Sequence, residues 1–133
     1  MSAITAPSSV GTDGLLRFAM RLDAVLVGIT GIPFVAAPGW LSSLTGVPVA
    51  VELGLGIFFL LYGVGVYWLA GRAHVRPGAI ATITMNALFT IGFVAAEVSG
   101  IWPLTTAGIA LLLGGAAYTA IVGAVQYIGL RRL

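Results

Sequence analysis

The chain has 133 residues, of which 59% are hydrophobic and 8% are charged, and its mean hydropathy is +1.11. Soluble domains carry about 25% charged residues, so this composition excludes a soluble globular protein and indicates a chain solvated by lipid. The chain has no cysteine, which excludes disulfides, thiolate metal sites and a cysteine nucleophile. The six basic residues, without a soluble surface around them, do not make a nucleic-acid-binding patch.

A polar N-terminus precedes four long apolar segments. Residues 1–14 are small and polar, which predicts a disordered cytoplasmic tail. The apolar segments cover about residues 15–37, 49–70, 77–98 and 104–128. Each has the roughly 20 residues that a helix needs to cross a hydrocarbon core of about 30 Å. Because backbone amides cannot stay unpaired in lipid, the sequence predicts an all-α bundle of four transmembrane helices in one domain, residues 15–133.

The arginines determine the predicted orientation. They precede span one, lie between spans two and three, and follow span four, as Arg17, Arg21, Arg72, Arg76, Arg131 and Arg132. The other two loops, including the turn-rich stretch 40–48, contain no Lys or Arg. By the positive-inside rule both termini face the cytoplasm, which predicts a multi-pass protein of a bacterial cytoplasmic (inner) membrane. The alternative is that span one is a signal peptide ending at residues 35–37, whose cleavage would leave three spans.

A weak internal repeat relates the two halves of the chain. Residues in the second and fourth spans correspond at an offset of 60, with Thr45, Gly54, Gly63, Tyr67 and Arg72 matching Thr105, Gly114, Gly123, Tyr127 and Arg132. Residues 34–37 recur as residues 93–96, and the pair at 23–24 resembles the pair at 86–87. The pattern predicts a helical hairpin that occurs twice in the same orientation. Chance similarity between glycine-rich apolar segments is the alternative.

Small residues at helical spacing mark the predicted packing faces. They recur in spans two and four as Gly56, Gly63, Gly115, Thr119 and Gly123. In a membrane such residues let helix backbones approach closely, and helix association depends on that contact. Packing within one bundle is the simpler interpretation, and association with a second copy or with a larger membrane complex is the alternative.

Asp23 and Asn86 form the candidate polar site inside the membrane. A carboxylate exposed to lipid is costly, so Asp23 is expected to face the bundle interior. The alternative places Asp23 at the interface beside Arg17 or Arg21, where a helix N-terminus favours a negative charge. Asn86 lies well inside span three, so its amide is expected to bond across helices, as a structural clamp or as part of a pathway.

Two further carboxylates, Glu52 and Glu97, are predicted at the outer surface. Glu52 begins span two and Glu97 ends span three, both on the side without arginines. One interpretation is an acidic mouth that attracts cations. The other is a pair of solvated interfacial carboxylates without a joint role.

The residues do not point to a reaction. The sequence contains no nucleophile–base–acid set and no phosphate-binding loop, and its single histidine, His74, has no further ligands clustered around it. We therefore expect no enzymatic activity, no cofactor and no metal. The favoured hypothesis is a non-enzymatic accessory, scaffold or lipid-contacting subunit that packs on itself or on a partner. The alternative is a small oligomeric transporter or channel with Asp23 and Asn86 in its path.

Several segments carry a resemblance to a known group of proteins. They are residues 22–31 (LDAVLVGITG), 41–48 (LSSLTGVP), 86–89 (NALF) and 126–132 (QYIGLRR). In these segments the chain resembles small, uncharacterised four-span integral membrane proteins of actinobacteria and other bacteria, and more loosely the DoxX-like proteins. The resemblance covers nearly the whole chain after the tail. It implies a membrane location and a four-span architecture, without a defined activity.

Overall fold

The computed structural model describes residues 6–133, with side chains from Thr12 onward, and the described chain folds into five helices without strands. The helices are α1 (Ala6–Ala36), α2 (Pro38–Thr45), α3 (Val49–Ala70), α4 (Arg76–Ser99) and α5 (Thr106–Arg131). All except α2 are long and apolar enough to cross a membrane. The predicted all-α bundle of four spans is confirmed.

The first helix starts earlier than the first predicted span. Helix α1 begins at Ala6, so much of the stretch predicted as a disordered tail is helical, while residues 1–5 lie outside the described part of the chain. Pro7 suits this position, because proline is tolerated in the first turn of a helix, where its missing amide hydrogen is not needed.

The turn-rich stretch between the first two spans contains a short helix that the sequence analysis did not predict. Helix α2 starts at Pro38, which takes the first helical position. It ends at Thr45 and is followed by Gly46, whose φ of +82° is left-handed and whose amide N–H donates to the carbonyl oxygen of Ser42 at 2.8 Å. With eight residues, α2 cannot cross the membrane, and it lies across one end of the bundle against α3 and α5.

The long helices pack mainly as two pairs, α1 with α3 and α4 with α5. In the first pair a Cβ atom placed on Gly63 would lie 2.7 Å from the carbonyl oxygen of Ala24 and 3.0 Å from the Cα of Gly28. A Cβ on Gly56 would lie 2.5 Å from the Cβ of Phe34. Glycine at these positions lets the two backbones touch, which no larger residue would allow.

The second pair uses the predicted small residues of α5 in the same way. A Cβ on Gly115 would lie 3.0 Å from the ring of Phe93, and one on Gly123 would lie 3.2 Å from the Cβ of Asn86. Thr119 contacts α4 through a hydrogen bond of 2.6 Å between its hydroxyl and that of Thr90. The predicted packing residues therefore make contacts within the molecule, in the two-hairpin arrangement that the repeat predicts. Duplication of an ancestral hairpin stays a prediction.

The two ends of the bundle differ in character. At one end, called the arginine end, the N-termini of α1 and α4 meet the C-termini of α3 and α5. A compact apolar cluster fills its interior, made of Leu16, Met20, Ala24, Val66, Ala70, Val75 and Ala79. Arg17 links α1 to the C-terminus of α3 at this end, because its guanidinium donates to the carbonyl oxygens of Ala70 and Arg72, both at 2.7 Å. The opposite end, called the α2 end, is covered by α2.

Candidate functional site

A polar network occupies the middle of the bundle, and the carboxylate of Asp23 is its centre. Asp23 is 1% exposed. The hydroxyl of Tyr62 donates to Oδ2 and the hydroxyl of Tyr118 donates to Oδ1, each at 2.7 Å. The side-chain amides of Asn86 and Gln126 donate to Oδ2 at 3.3 and 3.2 Å. All four long helices thus meet at one buried carboxylate.

Asn86 links the network to its own helix and to α5. Its Nδ2 donates to Oε1 of Gln126 at 2.9 Å and to the carbonyl oxygen of Thr82 at 3.3 Å. Because every close neighbour of this nitrogen is an acceptor, the amide orientation follows from its surroundings. No described residue donates to the other atom of the amide, Oδ1. The structure therefore brings Asp23 and Asn86 together, as the sequence analysis considered, and adds an acceptor atom without a partner.

The buried carboxylate of Asp23 has no cationic partner among the described residues. The one ion pair there joins Arg17 to Asp13 at 2.9 Å, and Arg21 lies near the ring of Tyr67. The interpretation that places Asp23 at the interface beside Arg17 or Arg21 is therefore wrong. An ionised carboxylate can still be accommodated, because all of its partners donate hydrogen bonds to its two oxygens.

The two glutamates predicted at the outer surface lie in different surroundings. Glu52 is 2% exposed, and the hydroxyl of Thr45 donates to its Oε1 at 2.7 Å. The prediction that Glu52 lies at the outer surface, in an acidic mouth or as a solvated carboxylate, is wrong, because α2 covers the first turn of α3. Glu97 is half-buried, and its Oε1 has no hydrogen-bond partner in the described chain.

A cavity of about 420 Å³ separates the Asp23 network from α2. This volume lies within the range of about 300–1,000 Å³ that is usual for small-molecule sites. Tyr62, Asn86 and Tyr118 form its floor, while Thr45 and Glu52 lie at its far end. Most of its wall is apolar, with phenylalanine rings contributed by α1, α3 and α4, namely Phe34, Phe58, Phe59, Phe89 and Phe93.

The cavity opens sideways, between α1 and α5. Its exposed lining residues all belong to these two helices, and they are Leu26, Thr30, Ala110, Leu111 and Gly114. Nearer the arginine end the same helices touch, since a Cβ on Gly129 would lie 2.9 Å from the Cα of Leu16. The gap between α1 and α5 thus widens toward the α2 end. In a membrane-spanning bundle such an opening faces lipid.

Toward the arginine end the interior is closed. Leu16 and Met20 are fully buried below the Asp23 network and pack with the apolar cluster of that end. Asp23 and Asn86 are bonded to each other and to Gln126, so they fill the cross-section instead of lining an open path. The arrangement is a pocket with a side opening.

Sequence reasoning missed three members of the network, Tyr62, Tyr118 and Gln126. A signal was present in α5, where Tyr118 and Gln126 lie about two helical turns apart and each places a polar group in a span otherwise built of apolar and small residues. For metal binding, no cluster of three His, Cys, Asp or Glu side chains occurs in the described chain.

Comparison with protein-family models, with curated proteins and with solved structures finds no match to this chain.

Proposed function

We propose that this chain is a non-enzymatic integral membrane protein that takes an apolar or amphiphilic molecule from the surrounding lipid into its bundle. It thereby acts as a lipid-contacting subunit, alone or within a larger membrane complex. The observation that carries the proposal is the cavity of about 420 Å³, which is lined mainly by apolar side chains and opens between α1 and α5. A site that opens to lipid selects molecules that are concentrated in lipid.

The polar floor suits an amphiphile better than a purely apolar molecule. Tyr62, Asn86 and Tyr118 present polar atoms at the closed end of the cavity, whereas the phenylalanine rings surround its middle. A head group on the floor leaves an attached chain along the rings, and a longer chain can leave through the opening toward lipid. An apolar pocket with a few convergent polar groups is the usual pattern of a site that orients its ligand.

The arginines support a bacterial cytoplasmic membrane with both termini in the cytoplasm. Basic residues accumulate in cytoplasmic loops, and all six arginines belong to the arginine end by their positions in the chain. Aromatic side chains accompany them, with Arg72 4.6 Å from the ring of Trp68 and Arg131 bonded to the hydroxyl of Tyr127 at 3.1 Å. Such pairs are typical of the membrane interface. In this orientation the cavity lies in the outer half of the bilayer.

The cavity can be tested by closing its opening. A Cβ on Gly114 would have no neighbour within 4 Å, and Gly114 lines the opening, so Gly114→Phe places a ring there without a backbone clash. Gly54→Phe is the matched control, because its Cβ also lacks neighbours within 4 Å and it does not line the cavity. The readout is the affinity for decanol in lipid nanodiscs, with empty nanodiscs subtracted. We expect Gly114→Phe to lower the affinity by about tenfold or more and Gly54→Phe to leave it unchanged.

Equal affinity of the two phenylalanine variants would contradict the proposal. So would the absence of any decanol binding to the wild-type protein. Mass spectrometry of the protein purified from its native membrane adds a second readout, because a ligand held in the cavity co-purifies with the wild type and is depleted in Gly114→Phe.

A transporter is the second candidate function, since Asp23 and Asn86 lie where all four spans meet. Transport through this point requires α1 to separate from the apolar cluster that closes the arginine end. Flux of protons or small cations into proteoliposomes, compared between wild type, Asp23→Asn and Asn86→Leu, tests this candidate. Flux that disappears in both variants, with their thermal stability retained, favours the transporter over the binding subunit.

A further inference from the structure

We propose that the ligand of the cavity carries a positively charged head group, an alkylammonium at the end of a single chain. This head group lies on the floor formed by Tyr62, Asn86 and Tyr118. The inference rests on the proposed function, because it assigns the chemistry of the ligand for the same cavity.

The hydrogen-bond directions make the floor an acceptor surface. The hydroxyl hydrogens of Tyr62 and Tyr118 both point to Asp23, at 2.7 Å. The Tyr118 oxygen accepts no bond from a described residue, whereas the Tyr62 oxygen accepts one from Nδ2 of Asn86 at 3.4 Å and keeps one lone pair for a ligand. The amide hydrogens of Asn86 are shared among acceptors on Gln126, Thr82, Asp23 and Tyr62, and its Oδ1 has no donor in the described chain. Three oxygens without free hydrogens favour a ligand group that donates hydrogen bonds or carries positive charge.

The charges around the cavity have one sign. Its lining contains no Lys, Arg or His, and Glu52 is its one residue with a formal charge. Directly behind the floor lies the Asp23 carboxylate, which has no cation beside it in the part of the chain that the structure describes. Both oxygens of this carboxylate accept hydrogen bonds, and in a medium of low dielectric constant such an acceptor favours a cation on the other side of the tyrosine hydroxyls. The cavity is therefore electrostatically complementary to a cation.

The aromatic wall reaches the floor at Phe58, whose ring centroid lies 5.9 Å from that of Tyr62, and it adds a second attraction for the same kind of group. Phe58 and Phe89 have ring centroids 5.3 Å apart, Phe89 and Phe93 5.4 Å, and Phe34 and Phe59 5.4 Å. Aromatic faces attract cations, and quaternary ammonium groups are commonly held in cages of aromatic rings. A simple metal cation would lack enough charged ligands here, whereas an alkylammonium satisfies the carboxylate, the rings and the apolar wall together.

Two probes that differ only in the head group test the inference. Affinities of decyltrimethylammonium and decanol are measured for the full chain in nanodiscs of zwitterionic lipid, again with empty nanodiscs subtracted. We expect the wild type to bind the cation about tenfold more tightly than the alcohol. Asp23→Asn, which keeps the size of the side chain and removes its charge, should abolish this preference and leave decanol affinity within about twofold. Glu97→Gln is the matched control, since Glu97 is a carboxylate outside the cavity lining.

The outcomes separate this inference from the proposed function. Equal wild-type affinity for the two probes, with both sensitive to Gly114→Phe, overturns the charge preference and leaves the cavity site in place. The absence of binding by either probe overturns both. A preference that survives Asp23→Asn and is lost in Glu52→Gln overturns the placement of the head group on the floor. Thermal unfolding shows whether Asp23→Asn is folded, and if it is not, the wild-type comparison alone decides.

Discussion

The close contact between α1 and α3 at Gly63 predicts that a larger residue at this position lowers the stability of the protein. Alanine at this position adds one methyl group whose carbon would lie 2.7 Å from the carbonyl oxygen of Ala24 and 3.0 Å from the Cα of Gly28. Ordinary carbon–oxygen contacts of this kind are about 3.3–3.6 Å long. Both obstacles are backbone atoms of α1, so no side chain can rotate away and the helices must separate. Gly63→Ala should therefore destabilise the protein.

The size of this effect follows from the geometry of the clash. Extra methylenes in a well-packed interior cost about 1–3 kcal/mol, and the cost here should lie in that range because a whole helix has to shift. Gly28→Ala probes the same helix pair from the other side, where the new carbon would lie at an ordinary 3.8 Å from the Cα of Gly63. Gly65→Ala probes α3 at a position whose Cβ would have no neighbour within 4 Å. Both controls should stay within about 1 kcal/mol of the wild type.

Reversible unfolding in mixed micelles, followed by circular dichroism, gives the free energies of unfolding for the three variants. Equal stability of Gly63→Ala and Gly65→Ala would contradict the predicted clash with α1. An equal loss of stability in Gly28→Ala and Gly63→Ala would also contradict it, since the backbone contact is tight on the Gly63 side alone.

Three further predictions address other parts of the bundle. A double-mutant cycle on Thr90→Val and Thr119→Val, measured by the same unfolding assay, should give a coupling energy of about 0.6 kcal/mol, as is typical of hydrogen bonds between membrane helices. A coupling energy of zero would contradict this hydrogen bond. Arg17→Lys should lower the free energy of unfolding by about 1–2 kcal/mol, because one ammonium cannot reproduce the guanidinium contacts to two carbonyl oxygens. An unchanged free energy of unfolding would argue against a stabilising role of these contacts. Reporter fusions after Arg132 and within residues 40–48 should report opposite sides of the membrane, and the same side for both would overturn the orientation.

The spans and their order could be predicted from the sequence because lipid imposes a simple rule on length and hydropathy. The predicted second span, residues 49–70, matches α3, and the third and fourth differ from α4 and α5 by one to three residues at each end. Helix α1 begins nine residues before the predicted first span, because the helix extends beyond the apolar stretch. Helix α2 was not predicted because the same rule of length and hydropathy does not apply to it. It is too short for a hydropathy window, and residues such as Ser42 and Ser43 are typical of turns.

The site could be predicted in part. The cost of a carboxylate in lipid singled out Asp23, and the depth of Asn86 in its span singled out the amide. Tyr62 carried no such signal, because tyrosine is common in membrane helices, and Tyr118 was marked only by its spacing from Gln126 in α5. Glu52 was placed in solvent since the covering helix α2 had not been predicted. The cavity itself could not be predicted, because its volume depends on how far α1 and α5 diverge, which is a property of tertiary packing.

The position of the Asp23 partners along the chain has a consequence for biosynthesis. Asp23 enters the membrane with the first helix, whereas Tyr118 and Gln126 arrive with the last. Tyr62 and Asn86 can bond Oδ2 once α3 and α4 are in place, but Oδ1 has no donor until α5 brings Tyr118. A chain released early retains an exposed polar group within the bilayer, which is costly there. Asp23 thus distinguishes chains that contain α5 from chains that end before it, and gives cellular proteolysis a chemical basis for removing the latter.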